Sequence, residues 1–330
     1  MPDPIRLALP SKGRMESESF DFLAGCGLRV HKTNPRQYTA TIPALPQVQV
    51  LFQRARDIPA SVAAGDVDLA ITGLDVLHEM APDGADDVLV IHEALGYGGC
   101  SLVLAVPEEW DVHSMNDLAR HSQAAPLRIA TKFANSVSYF LEKAGITNAR
   151  IVEADGALES APLVGYADLI ADITSSGTTL RENRLRPLDD GVIVESQAAF
   201  IGNRAALQTR EDLLATTQQV LMFVEAHLRA QGQHMIFANI RGASMDEIKE
   251  RVFSQPDLGG LQGPTISPMI TRQNGGWWAI NLVASTPKLY DMIRQIHAIG
   301  GSGVVVTPVT YIFEEAPTRY QRLLDTLTKE

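Results

Sequence analysis

Asp168-Leu169-Ile170-Ala171-Asp172-Ile173-Thr174-Ser175-Ser176-Gly177-Thr178-Thr179-Leu180 reads as a strand carrying two acids, a hydroxyl-rich glycine turn and the start of a helix. Asp168 and Asp172 are an even number of residues apart, so on a strand both project to one side. Thr174, Ser175, Ser176, Gly177, Thr178 and Thr179 offer hydroxyls and backbone N–H groups to a compact anion at the positive end of the following helix. Acids for sugar hydroxyls beside a cradle for phosphate suit a phosphorylated ribose. A strand ending in Thr and Ser is also a common helix cap. The apolar residues between the acids favour the ligand reading, because a buried unpaired carboxylate is costly.

Working outward, short apolar strands alternate with helical stretches on both sides of this segment, the pattern of an α/β domain. Ile5–Leu9, Val48–Phe52 and Val67–Thr72 are strands, with helices at Met15–Ala24, Ile58–Ala64 and from Leu74. A second α/β unit opens near Gly98, with strands at Ser101–Val106 and Leu127–Thr131 and a helix at Ser136–Lys143. Arg186–Gly191 reads as a crossover to the first unit, with Val192–Ile201 as a returning strand. A long helix, about 210–231, then leads to strands and helices in the order β-α-β-β-α-β, the ferredoxin-like arrangement. The expected domains are a discontinuous first lobe (1–97 and 186–230), a second lobe (98–185) and a C-terminal domain (231–330). Two-lobed chains hold ligands in the cleft at the strand ends. The closing segment, 317–330, has leucines at helical spacing and is either a capping helix or a frayed tail.

The bulk properties narrow the partners. The formal charge is −11, with 45% hydrophobic and 20% charged residues among 330. An acidic soluble composition of this kind argues against nucleic acid or a membrane surface, so phosphates must be held by local cations. Such cations follow strands. Lys12-Gly13-Arg14 comes after the first strand, Arg54 after the next, and Lys132 after Leu127–Thr131. Each is either an anion ligand or a solvated surface charge. Gly73 ends Ile71-Thr72-Gly73, where it admits a ligand or simply makes a turn. Asp57 is positioned to cap its helix, with Pro59 in the first turn. Asn135 is a second candidate cap, and Glu159 either joins the acids or lies on a solvated face. The eight histidines have no zinc-like spacing, and neither Cys26 nor Cys100 has the setting of a nucleophile. Two cysteines and no signal peptide or membrane span fit a cytoplasmic protein.

Taken in order, these segments resemble the ATP phosphoribosyltransferase family. The resemblance rests on Gly13-Arg14, Arg54 with Asp57-Ile58-Pro59, Asp68–Gly73, Gly98-Gly99-Cys100, Ile129–Phe133, Glu159-Ser160-Ala161-Pro162 and, above all, Ala167–Leu180. Gly263–Pro268 resembles the regulatory domain of the long form. The resemblance implies a two-lobed, periplasmic-binding-protein-like catalytic core with a ferredoxin-like regulatory domain. It implies a magnesium-dependent glycosyltransferase that joins ATP to 5-phosphoribosyl 1-diphosphate in the first step of histidine biosynthesis, as a homo-oligomer, hexameric or dimeric. Asp168, Asp172 and Glu159 would be catalytic, and the acids with Thr174–Thr179 would hold the phosphoribosyl group. Lys12, Gly13, Arg14, Arg54, Gly73 and Lys132 would serve ATP or diphosphate. Histidine would inhibit allosterically at Thr265, Ile266 and Ser267. The chain departs from the family at Ser101, where many members carry a basic residue, and in its longer tail beyond Glu315. The alternative is a two-lobed small-molecule binding module without catalysis; a periplasmic receptor would need export, and a DNA-binding regulator a basic reading helix.

Overall fold

Runs of Leu, Ile, Val and Ala form the central strands of two mixed sheets, each with a parallel core of three strands whose apolar residues are buried. A computed structural model of the chain describes residues 3–34, 36–154, 156, 158–260, 263–271 and 276–328. Residues 1–222 and 316–330 form one unit and residues 223–315 another.

The first unit has two lobes. Lobe I contains β1 (Ile5–Pro10), α1 (Arg14–Gly25), β2 (Thr39–Ile42), β3 (Leu45–Gln53), α2 (Ile58–Ala63), β4 (Leu69–Gly73), α3 (Leu74–Met80) and β5 (Val88–His92). Lobe II follows with β6 (Cys100–Pro107), α4 (Met115–Ser122), β7 (Leu127–Thr131), α5 (Ala134–Lys143), β8 (Ala149–Glu153), β9 (Leu169–Thr174), α6 (Thr178–Glu182) and β10 (Leu185–Ser196). The chain returns to lobe I as β11 (Ala198–Asn203), then runs through α7 (Arg204–Thr209) into α8 (Glu211–Ala230). The first sheet has the order β2-β3-β1-β4-β11-β5 and the second β10-β6-β9-β7-β8. Strands β3, β1 and β4 are mutually parallel, as are β8, β7 and β9. Ala8, Ile58, Val62, Ala70 and Ile201 pack in the core of lobe I; Leu104, Leu118, Ile129, Val137 and Leu169 do so in lobe II.

The stretch expected to cross over and return as one strand is two strands in two sheets. β10 is the edge of the second sheet, antiparallel to β6, and only β11 joins the first. The lobe boundary therefore falls at Gln197 and not at 186. Leu185 and Leu188 are buried in the lobe II core, which pins β10 there. Pro187 is tolerated because it lies on an edge strand, beside a break in register before Val192.

The second unit contains β12 (Gln233–Arg241), α9 (Met245–Phe253), β13 (Thr265–Pro268), β14 (Trp277–Ser285), α10 (Leu289–Ala298) and β15 (Gly301–Pro308). Its four strands are ordered β13-β14-β12-β15, all antiparallel. This is the expected ferredoxin-like β-α-β-β-α-β unit. Ile236, Ala238, Ile240, Ile280 and Leu282 face Ile248, Val252, Met292 and Ile296 of the two helices.

The tail does not belong to that unit. It forms α11 (Thr318–Thr328), which packs with lobe I against β5 and α7. Leu323 is buried, and the Arg319 guanidinium donates to both Glu93 carboxylate oxygens at 3.1 and 3.0 Å. That pairing holds the Glu93 carboxyl down at about 2.

Candidate functional site

Three of the cations expected to meet phosphates stand at the C-terminal end of the lobe I sheet. Lys12, Gly13 and Arg14 follow β1, Arg54 follows β3 and Gly73 ends β4, so the C-terminal ends of three adjacent parallel strands present them together. Arg14 is exposed and its Nε donates to Glu18 Oε1 at 2.6 Å. Gly13 has φ 77°, a conformation that favours glycine where the chain turns from strand to helix. Gly73 has a structural reason of its own. A Cβ there would lie 2.2 Å from Asp75 Oδ1, and that carboxylate accepts the Ser196 hydroxyl at 2.6 Å. Asp57 takes the cap position of α2 without a side-chain capping bond, contrary to expectation, while Pro59 does sit in its first turn.

In lobe II, β9 delivers the acid and turn at its C-terminal end. Its burial is complete from Leu169 to Ala171 and only partial at Asp172, with Ile173 exposed beyond it. Asp172 Oδ1 is 3.6 Å from Lys132 Nζ, which follows the neighbouring strand β7. Burial pushes the Asp172 carboxyl above the usual range, opposed by Lys132 and aided by the charge of Glu159. Glu159, on the short turn Leu158–Ser160, therefore does lie in the field of Asp172.

Beyond the strand, Thr174 Oγ1 accepts from Gly177 N at 2.9 Å, and Ser176 and Thr178 share a hydrogen bond of 2.9 Å. Gly177 has φ 69°, so the turn needs a residue free of left-handed strain. The Arg181 guanidinium lies against this turn, donating to Thr178 Oγ1 at 3.3 Å. Sequence reading missed that cation. The signal was available, since Arg181 is three residues beyond Thr178 on the same helix face.

Asp168 is not part of this group. Four residues of strand at about 3.3 Å each put it about 13 Å from Asp172, too far for one ribose to bridge. Its carboxylate accepts from Arg128 N at 2.7 Å and Nε at 3.2 Å, and from NH2 at 2.7 Å. The Arg128 hydrogen bonds hold the Asp168 carboxyl below its ordinary value despite partial burial. Sharing a face was necessary for pairing on a ligand but not sufficient, because faces are long.

The lobes meet where Tyr97–Gly99 and Ser196–Ala198 connect them. A pocket of about 440 Å³ opens there, lined among others by Tyr97, Cys100, Ser101, Ser175, Glu195 and Gln197. Ser175 Oγ donates to Gly99 O at 3.2 Å, which ties the turn to this connection. The Cys100 thiol is pushed up by burial and the charge of Asp75, and drawn down by Ser196, Lys132 and Arg14. One thiol thus feels cations of both lobes. Ser101, read from the sequence as a departure from the resembled family, donates its Oγ to Glu195 Oε2 at 2.7 Å, so an acid faces this position. Glu195 escaped the sequence reading because 192–201 looked like one unbroken strand. Thr265, Ile266 and Ser267 lie elsewhere, on β13 in the second unit; Ile266 packs against that unit's core, and Thr265 and Ser267 flank it on the opposite face.

Comparison with known proteins gives this arrangement its relatives. The profile described as "ATP phosphoribosyltransferase" matches residues 54–225, and that of "HisG, C-terminal domain" matches residues 230–311. ATP phosphoribosyltransferase 1, chloroplastic, of Arabidopsis thaliana is 46% identical over 335 residues, covering 98% of this chain and 81% of the relative. ATP phosphoribosyltransferase of Rhodopseudomonas palustris is 39% identical, covering 98% of both chains. Among solved structures, the ATP phosphoribosyl transferase (HisG:HisZ) complex from Thermotoga maritima aligns with a TM-score of 0.53 at 27% identity, over 67% of this chain and 98% of that one. The chain belongs to the ATP phosphoribosyltransferase family in its long form, and it is accordingly a pentosyltransferase.

Proposed function

We propose that the cleft of the first unit joins ATP to 5-phosphoribosyl 1-diphosphate, giving 1-(5-phosphoribosyl)-ATP and diphosphate as the opening step of histidine biosynthesis. The observation that carries the reading is the end of β9, where a half-buried acid beside Lys132 runs into a hydroxylated turn overlaid by Arg181. The turn from Thr174 to Thr179 and Arg181 hold the 5-phosphate. Asp172, with Glu159 behind it, accepts from the ribose hydroxyls and stabilises positive charge growing at the anomeric carbon.

Adenine N1 brings its own lone pair, so the N1–C1 bond forms as the C1–oxygen bond breaks and diphosphate leaves with the electron pair. Catalysis comes from alignment and from charge stabilisation. Lys12, Arg14, Arg54 and Lys132 serve the departing diphosphate and the ATP phosphates. Magnesium would enter on those phosphates and offset their charge, with Asp172 and Glu159 the carboxylates that would stand nearest it. Asp168 has no part in the chemistry. Incubating the chain with ATP, phosphoribosyl diphosphate and magnesium should produce the ultraviolet absorbance of the adduct. Ligand binding without adduct would favour the binding-module alternative.

The second unit reads as the sensor for histidine, at the Thr265–Ser267 edge strand, in a cytosolic homo-oligomer of hexameric or dimeric size. What supports the sensor reading is the family's C-terminal domain over residues 230–311. Calorimetric titration of the full chain with histidine tests it, and absence of heat would overturn the assignment.

A further inference from the structure

The start of α5 is capped from the other lobe. Its own cap position is Phe133, which makes no side-chain capping bond and is buried in the lobe II core. Asn135, a candidate cap in the sequence, lies inside the helix. The missing acceptor comes from Glu79 near the end of α3. Its Oε1 accepts from Asn135 N and its Oε2 from Ser136 N, each at 2.9 Å. The Asn135 side-chain amide donates back to the Glu79 carbonyl at 3.0 Å. His78 Nδ1 lies 2.9 Å from the buried Ser136 hydroxyl. A carboxylate between two first-turn N–H groups also answers the helix dipole.

Four polar contacts therefore bind α3 of lobe I to α5 of lobe II. The base of α3 is tied to lobe II as well, through Asp75 and Ser196. Two residues before α5, next to that cap position, stands the site's Lys132, which faces Asp172. Turning one lobe on the other would break the Glu79 contacts and carry Lys132 and Asp172 away from Lys12, Arg14 and Arg54. We infer that Glu79 is a positioning residue, an interlobe latch that sets the cleft span at which the acid and turn of lobe II face the cations of lobe I. It touches no substrate and acts through the angle between lobes.

The inference rests on the transferase reading above. If the unaltered chain makes no adduct, that reading fails; the distance measurement below concerns the latch alone. In the full chain, Glu79→Ala should lower kcat on the order of tenfold to a hundredfold, as expected for misplacement remote from the reacting atoms, with smaller changes in either KM. Spin labels at Asp21→Cys and Glu142→Cys, on a Cys100→Ser background, report the lobe separation. Its distribution should broaden in the Glu79→Ala protein. Glu79→Gln, which keeps size and one acceptor, should fall between and serves where Glu79→Ala does not fold. A kcat within twofold of the parent overturns the latch. So does an unchanged separation accompanied by a lower melting temperature, which would reduce Glu79 to a helix cap.

Discussion

β4 and β9 are the equivalent central strands of the two lobes, and they begin alike and end differently. Asp68 precedes β4 and Asp168 precedes β9. Each carboxylate accepts an arginine backbone N–H from the adjacent parallel strand, Arg6 at 2.8 Å and Arg128 at 2.7 Å. Each also pairs with a guanidinium, Arg210 at 2.9 Å and Arg128 at 2.7 Å. At the far end, β4 stays buried through Gly73, whereas β9 surfaces at Asp172. The lesson is positional. An acid at the start of these strands fastens the sheet, and the acid near the end of β9 meets a lysine that follows the next strand.

Substitutions at the two ends can break this comparison. The largest effect is expected from Asp172→Asn, a loss of about 10²–10³ in kcat/KM, the size typical of removing one electrostatic partner of a transition state. The melting temperature should hold or rise, because a half-buried carboxylate whose pKa is raised by its surroundings is replaced by a neutral amide. Steady-state kinetics with thermal unfolding check both; unchanged turnover would remove Asp172 from the site. Gly73→Ala comes next. The new Cβ displaces the Asp75 carboxylate from Ser196, at a cost of about 1–3 kcal/mol, the usual range for overpacking. Denaturant unfolding measures it.

Asp168→Asn should cost about 1–2 kcal/mol, the range of a hydrogen-bonded ion pair reduced for solvent exposure, while leaving kcat per folded molecule intact. A fall in kcat there would restore Asp168 to the site.

The smallest effect sharpens the comparison through pH. Asp168 has a folded pKa below its ordinary value, so its stabilisation is present above the unfolded pKa and is lost as pH falls through the folded one. Asp172 has the opposite sign. Its folded pKa is raised, so its ionised form burdens the fold at neutral pH and protonation relieves that burden. Against the unaltered chain, Asp168→Asn should flatten the acid limb of the stability profile, and Asp172→Asn should steepen it.

Much of this was legible in the linear order of residues. The alternation of apolar runs with glycine-ended helices foretold the α/β lobes, and the final β-α-β-β-α-β order foretold the second unit. Lys12, Arg14, Arg54 and Lys132 were legible as strand-end residues for the same reason. β10 was misassigned because neither periodicity nor composition says which of two sheets an edge strand joins. Leu185 and Leu188 settle that by their burial. The tail's destination was equally hidden, since Arg319 meets Glu93 across more than two hundred residues.

By itself the sequence determined local matters: which segments are strands, where chains turn, and which turn is rich in hydroxyls. Those follow from side-chain period and backbone freedom, which act over a few residues. Only the tertiary structure decided which acid is fastened to Arg128 and which meets Lys132, that Arg181 folds over the turn, and that Glu79 caps a helix of the other lobe. A carboxylate's role depends on the charges and donors that reach it through space, and chain order does not encode distance.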